Sequence, residues 1–75
     1  MSSEVFQQRI RNLRADRNMS QKQVADGIGI TETGYWYYET GRRKPGFDSI
    51  SALADLYNVS TDYLFGRTNN PQIAR

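Results

Sequence analysis

Three adjacent cations, Arg42, Arg43 and Lys44, follow closely on an aromatic run, Tyr35-Trp36-Tyr37-Tyr38, with Glu39, Thr40 and Gly41 between. Clustered guanidinium and ammonium groups can neutralise phosphates and release their counterions. The placement of the charge matters more than its total. The chain carries 10 Lys and Arg against 8 Asp and Glu, and without these three cations the balance turns to 7 against 8. A solvated basic loop is the plain alternative. Catalysis has little to work with: there is no His and no Cys, so disulfides and Cys/His zinc sites are excluded. The carboxylates are scattered, and Glu39 has no His, Cys or second convergent acid to work with. Neither an enzyme nor a bound cofactor is expected.

What favours phosphate contact is the segment before the cations. Ser20, with Gln23 three residues on, suits reciprocal capping of a helix N-terminus. Val24, Ala25 and Ile28 then mark one apolar face. Gly29 sits where the chain must turn sharply, and Ile30 points back toward the core. Thr31 can cap a second helix running to about Thr40, which Gly41 can end. Two short helices across such a turn form the unit that places one helix in a DNA major groove.

The remaining elements must hold this unit. Seventy-five residues make one domain, and a domain this small buries only about 60% of its unfolded surface, so it needs efficient packing or a partner subunit. A first helix is expected over 3–17, with Phe6, Ile10 and Leu13 as its core stripe and Asn18 as a left-handed stop. After Pro45-Gly46, the residues Phe47, Ile50, Leu53, Ala54 and Tyr57 mark another helical face, capped by Gly46 or Asp48 and stopped by Asn58. Ser60 caps a short fifth helix, Leu64 and Phe65 close the core, and Gly66 ends it. The fold class is all-α, a compact five-helix domain over 1–67, with 68–75 a flexible tail. No apolar run approaches the roughly 20 residues of a membrane span, and the N-terminus lacks a signal peptide's basic and apolar blocks. A soluble, cytoplasmic protein with no membrane partner is the expectation.

The order RIRNLR, MSQKQVADGIGIT, YYETGRRKP and LADLYNVSTDYL resembles the Cro/repressor-type helix-turn-helix family, also called the xenobiotic-response-element family, from about Phe6 to Phe65. The resemblance implies a repressor-like domain that binds operator DNA, usually as a symmetric dimer, and controls transcription. It further implies that Arg14 and Glu39 form a structural ion pair tying the first helix to the third, and that Gln21, with nearby backbone N–H groups, holds a phosphate. A helix N-terminus is a ready anion site, although a solvent-facing residue in a first turn is the plainer reading of Gln21. Some relatives also carry glycine at the position of Gly34, which allows close approach of backbone to DNA despite a cost of about 1 kcal/mol in helix propensity. For Gly27 no function is read.

In this reading Thr31, Glu32, Thr33, Trp36 and Tyr37 face outward and are the base-reading candidates, while Tyr35 and Tyr38 face the core. Gln21, Thr40, Arg42, Arg43 and Lys44 are the phosphate candidates. Glu32 could accept from a cytosine amino group or merely complement the helix dipole. Thr33 could touch a thymine methyl or a base acceptor; Trp36 and Tyr37 could pack on thymine methyls and sugars, with the Tyr37 hydroxyl on a phosphate or base. No Arg, Lys, Asn or Gln stands at 32, 33, 36 or 37, so the commonest bidentate base pairings are missing there. The expected partners are double-stranded DNA and a second copy of the chain, meeting near the fifth helix with Tyr63 and Arg67 as candidates. The alternative is a protein-interaction module, docking an anti-repressor or another protein on the exposed aromatic face, or serving as an antitoxin-like adaptor.

Overall fold

In the computed structural model, which describes residues 3–73, five helices follow one another: α1 (Ser3–Asp16), α2 (Gln21–Ile28), α3 (Glu32–Thr40), α4 (Phe47–Tyr57) and α5 (Thr61–Leu64), with no strand among the described residues. Each boundary has a local cause. Asn18 and Asn58 take positive φ (54° and 55°), a conformation asparagine tolerates better than most side chains. The Asn58 and Val59 N–H groups then satisfy the Asp55 and Ala54 carbonyls. The Ser60 hydroxyl caps α5 by accepting from the Tyr63 N–H at 3.0 Å. Of the two caps considered for α4, Gly46 holds the position, with no side-chain bond.

The core draws on every helix. Phe6, Ile10 and Leu13 of α1 meet Val24 and Ala25 of α2, Tyr35 of α3, Leu53, Ala54 and Tyr57 of α4, and Leu64 of α5. α2 and α3 pack on each other, α1 lies against α3 and α5, and α4 supports α2 and α5. Phe65 is half-buried, its ring 6.3 Å from that of Phe6. One core expectation needs correction, and one core residue carries no sequence signal. Phe47 is 84% exposed: periodicity sets its direction on α4, but at the first position of that helix no other element among the described residues covers it. Val59 is buried at 4%, although it stands in an irregular link where no periodicity marks it.

Gly27 has a packing reason. A Cβ there would lie 3.3 Å from Leu56 Cδ1, so glycine lets α2 come close to α4. The segment expected to be a flexible tail from residue 68 is tied to the body as far as Pro71. Arg9 donates to the Tyr63 and Thr68 carbonyls and to Asn69 Oδ1, and the Ser60 N–H donates to the Pro71 carbonyl at 2.9 Å. Residues 74–75 of that expectation lie outside the described residues.

Candidate nucleic-acid interface

The helix pair is built by its caps. Ser20 Oγ accepts from the Gln23 N–H at 3.0 Å, and the Gln23 side chain accepts from the Ser20 N–H at 2.8 Å. Gly29 adopts φ 77° with nothing within 4 Å of where a Cβ would stand. Its need is therefore conformational rather than spatial: a left-handed residue costs most side chains roughly 1–2 kcal/mol. The Ile30 N–H closes the turn onto the Ala25 carbonyl at 3.0 Å. Thr31 caps α3, its Oγ1 accepting from the Gly34 N–H at 3.1 Å. A Cβ on Gly34 would lie 3.1 Å from that same oxygen, so glycine also keeps the cap uncrowded.

α3 divides into two faces. Tyr35 and Glu39 are buried at 0% and 2%; Tyr38 is half-buried, its hydroxyl 3.2 Å from Ser49 Oγ. Thr31, Glu32, Thr33 and Thr40 are exposed. Trp36 and Tyr37 are half-buried rather than fully exposed, with ring centroids 5.5 Å apart. Two cations lie over them: the Arg42 guanidinium is 4.9 Å from the centre of the Trp36 ring, and that of Arg43 is 5.7 Å from the centre of the Tyr37 ring. The exposed aromatic platform expected as a protein-docking face is thus partly occupied by the chain's own arginines.

Beneath this surface, Arg14 grips Glu39 through two bonds, Nε to Oε2 at 2.6 Å and Nη2 to Oε1 at 3.2 Å. Burial by itself pushes the Glu39 carboxyl up, but bonds from Arg14, Tyr35 and Gln21 outweigh it and hold the group below its ordinary value of 4.5. The same bond to Glu39 raises Arg14. Burial pushes the Tyr35 and Tyr57 phenols up, so both stay neutral and share a bond of 3.3 Å. Every buried side-chain polar atom among the described residues has a partner, as a buried polar cluster requires. Arg11 adds a second tie from α1, donating to the Glu39 carbonyl at 2.8 Å. Glu39 is therefore a strut between α1 and α3, with no access to a substrate.

Two phosphate candidates have prior engagements. The Gln21 amide donates to Glu39 Oε1 at 3.1 Å, linking the start of α2 to the buried pair. The Thr40 hydroxyl is turned back along α3, donating to the Trp36 carbonyl at 3.0 Å. Arg42, Arg43 and Lys44 are exposed. Gly41, at φ 77°, reverses the chain after α3, and the Gly41, Arg42 and Arg43 N–H groups all converge on the Tyr37 carbonyl. This tight reversal brings residues 42 and 43 back onto rings at 36 and 37. The six-residue offset hides the pairing from any helical-period reading. At the proposed dimer surface, Tyr63 is half-buried and covered by the Arg9 guanidinium at 4.1 Å, while Arg67 is exposed.

Comparison with known proteins agrees with this geometry. The family model described as helix-turn-helix matches residues 10–64. The uncharacterized HTH-type transcriptional regulator YobD of Bacillus subtilis (strain 168) is 40% identical over 67 residues, covering 89% of this chain and 60% of that protein. The cryptic phage CTXphi transcriptional repressor RstR of Vibrio cholerae is 38% identical over 55 residues, covering 73% of this chain and 50% of that protein. The chain thus spans half to three-fifths of the length of these two relatives. Among solved structures, the P22 c2 repressor in complex with a synthetic operator aligns with a TM-score of 0.75 at 24% identity, over 79% of this chain and 89% of that one, a likeness of fold.

Proposed function

Because the chain belongs to the helix-turn-helix family matched over residues 10–64, we propose that it is a sequence-specific DNA-binding transcriptional regulator, acting as a repressor, that docks as a homodimer on a near-palindromic operator. The observation that carries this reading is the exposed strip Thr31-Glu32-Thr33 at the start of α3, with Arg42, Arg43 and Lys44 at its other end. α3 enters the major groove, and Arg43 and Lys44 meet the flanking phosphates. The N-terminus of α2 presents backbone N–H groups to another phosphate, with Gln21 beside them. Thr40 joins the phosphate grip only by giving up its bond to the Trp36 carbonyl. The repressor sign is supported by similarity to RstR, named a transcriptional repressor. The molecule measures 30 × 22 × 22 Å, so two copies side by side can present their α3 helices to half-sites one turn, about 34–36 Å, apart.

The experiment is selection of bound DNA from a random pool at physiological salt. Enrichment of a two-fold symmetric sequence with half-sites one turn apart is the expected result; recovery of an unenriched pool refutes the reading. A protein-docking role finds its support in half-exposed Trp36 and Tyr37. Capture of one protein partner with no DNA binding at all would favour it.

A further inference from the structure

We propose that Arg42, carried on the Trp36 ring, reads a guanine in the major groove and supplies the bidentate donor that α3 itself lacks. The inference rests on the DNA-binding reading above and deepens it. α3 offers Glu32, Thr33, Trp36 and Tyr37 to a base edge, none of which carries the two parallel donors that match guanine O6 and N7. Arg42 lies beyond the helix end, where a side chain would ordinarily hang off the flank. Here Gly41 at φ 77° reverses the chain, and the Arg42 N–H is pinned to the Tyr37 carbonyl at 3.0 Å. The side chain then runs back along α3 until its guanidinium sits over Trp36. Trp36 is one turn from Thr33 and four residues before Thr40, on the strip that faces a groove.

The stacked arrangement suits reading better than simple charge neutralisation. A guanidinium resting on an aromatic face keeps its edge N–H groups available, and among the described residues the Arg42 guanidinium donates no hydrogen bond. Holding it on the indole lowers the ordering cost of a long side chain on binding. Arg43 is placed differently. Its contact with Tyr37 is looser, at 5.7 Å, and it borders a cleft with Phe6, Gln7 and Tyr38. It therefore belongs to the flank, where phosphates lie.

The test uses the full chain and the DNA sequences enriched from the random pool. Affinities are measured for Arg42→Lys, Arg42→Ala, Trp36→Leu and Trp36→Phe, with circular dichroism confirming the fold of each. Lysine keeps the charge and loses the fork. Arg42→Lys should leave the salt dependence unchanged and reduce preference for guanine at one position per half-site by about 5- to 150-fold. Trp36→Leu should reduce the same preference, and Trp36→Phe, which restores an aromatic face, should recover most of it. The chain has one Trp, so its emission reports this ring alone and should shift in free Arg42→Ala. Unchanged emission overturns the stack. If Arg42→Lys keeps the base preference while Arg42→Ala weakens all sites alike and lowers the salt slope by about one, Arg42 is a phosphate contact: the inference is overturned and the DNA-binding reading stands. If the wild-type chain enriches no sequence, both are overturned.

Discussion

Arg14 and Glu39 should not be equivalent when each is removed, and the asymmetry follows from their exposure. The Glu39 side chain is 3% exposed and the Arg14 side chain 23%. Arg14→Ala strands a sealed carboxylate with only Gln21 and Tyr35 as donors, and breaking a buried pair this way costs about 3–5 kcal/mol. Glu39→Ala strands a guanidinium that already reaches water and keeps its bond to the Met19 carbonyl at 3.2 Å. The lost charged hydrogen bonds then cost about 2–3 kcal/mol. A domain of 75 residues has about 4–11 kcal/mol in total, so both losses are large and Arg14→Ala is the larger. The pH dependence separates them further. The folded-state value of Glu39 lies below its ordinary 4.5, so its contribution is complete above about 4.5 and disappears as pH falls through the folded value. In Arg14→Ala the strongest of the bonds that hold the carboxyl down is gone, so it rises from its wild-type position. Protonation then relieves the stranded charge, and the penalty relative to wild type shrinks on acidification. Urea unfolding followed by far-UV circular dichroism at pH 7 and pH 4 measures both effects. Equal costs at pH 7, or a penalty for Arg14→Ala that does not shrink between the two pH values, would refute the reasoning.

Arg43→Ala should weaken binding to all DNA sequences alike and flatten the salt slope by about one unit if it meets one phosphate. Thr33→Val should instead change which sequences are enriched, and uniform loss in both variants would count against this division of roles. Thr31→Ala removes the cap on the Gly34 N–H and should cost about 1 kcal/mol in thermal or urea unfolding. Gly41→Ala must place a side chain at φ 77° and drive its Cβ into the Gln7 amide. A loss of at least about 1–2 kcal/mol is expected, with DNA affinity falling as the cations move off α3.

Much of this molecule was legible in one dimension because its signals are local. A cap needs an oxygen three residues before an orphan N–H, so Ser20, Thr31 and Ser60 announce three helices. Asn18, Gly29, Gly41 and Asn58 announce the turns, since few residues accept positive φ. Apolar spacing gave the stripe of Phe6, Ile10 and Leu13, whereas the inward direction of Tyr35 came from family resemblance. The Arg14–Glu39 partnership came from family resemblance, because no local rule connects residues 25 positions apart. Phe47 misled, since periodicity sets a side chain's direction and says nothing about whether another element is there to cover it.

Sequence alone determined five helices, a glycine-turned pair among them, and a cation cluster placed after the outward-facing one. Tertiary structure decided which side chains are free to act. It turned the Gln21 amide toward a buried carboxylate, folded the Thr40 hydroxyl onto its own helix, and tied residues 68–71 to α1 and α5. It also laid Arg42 and Arg43 over Trp36 and Tyr37. Those outcomes depend on where the chain sits after each reversal and on which donors compete for each acceptor. Spacing along a sequence carries neither.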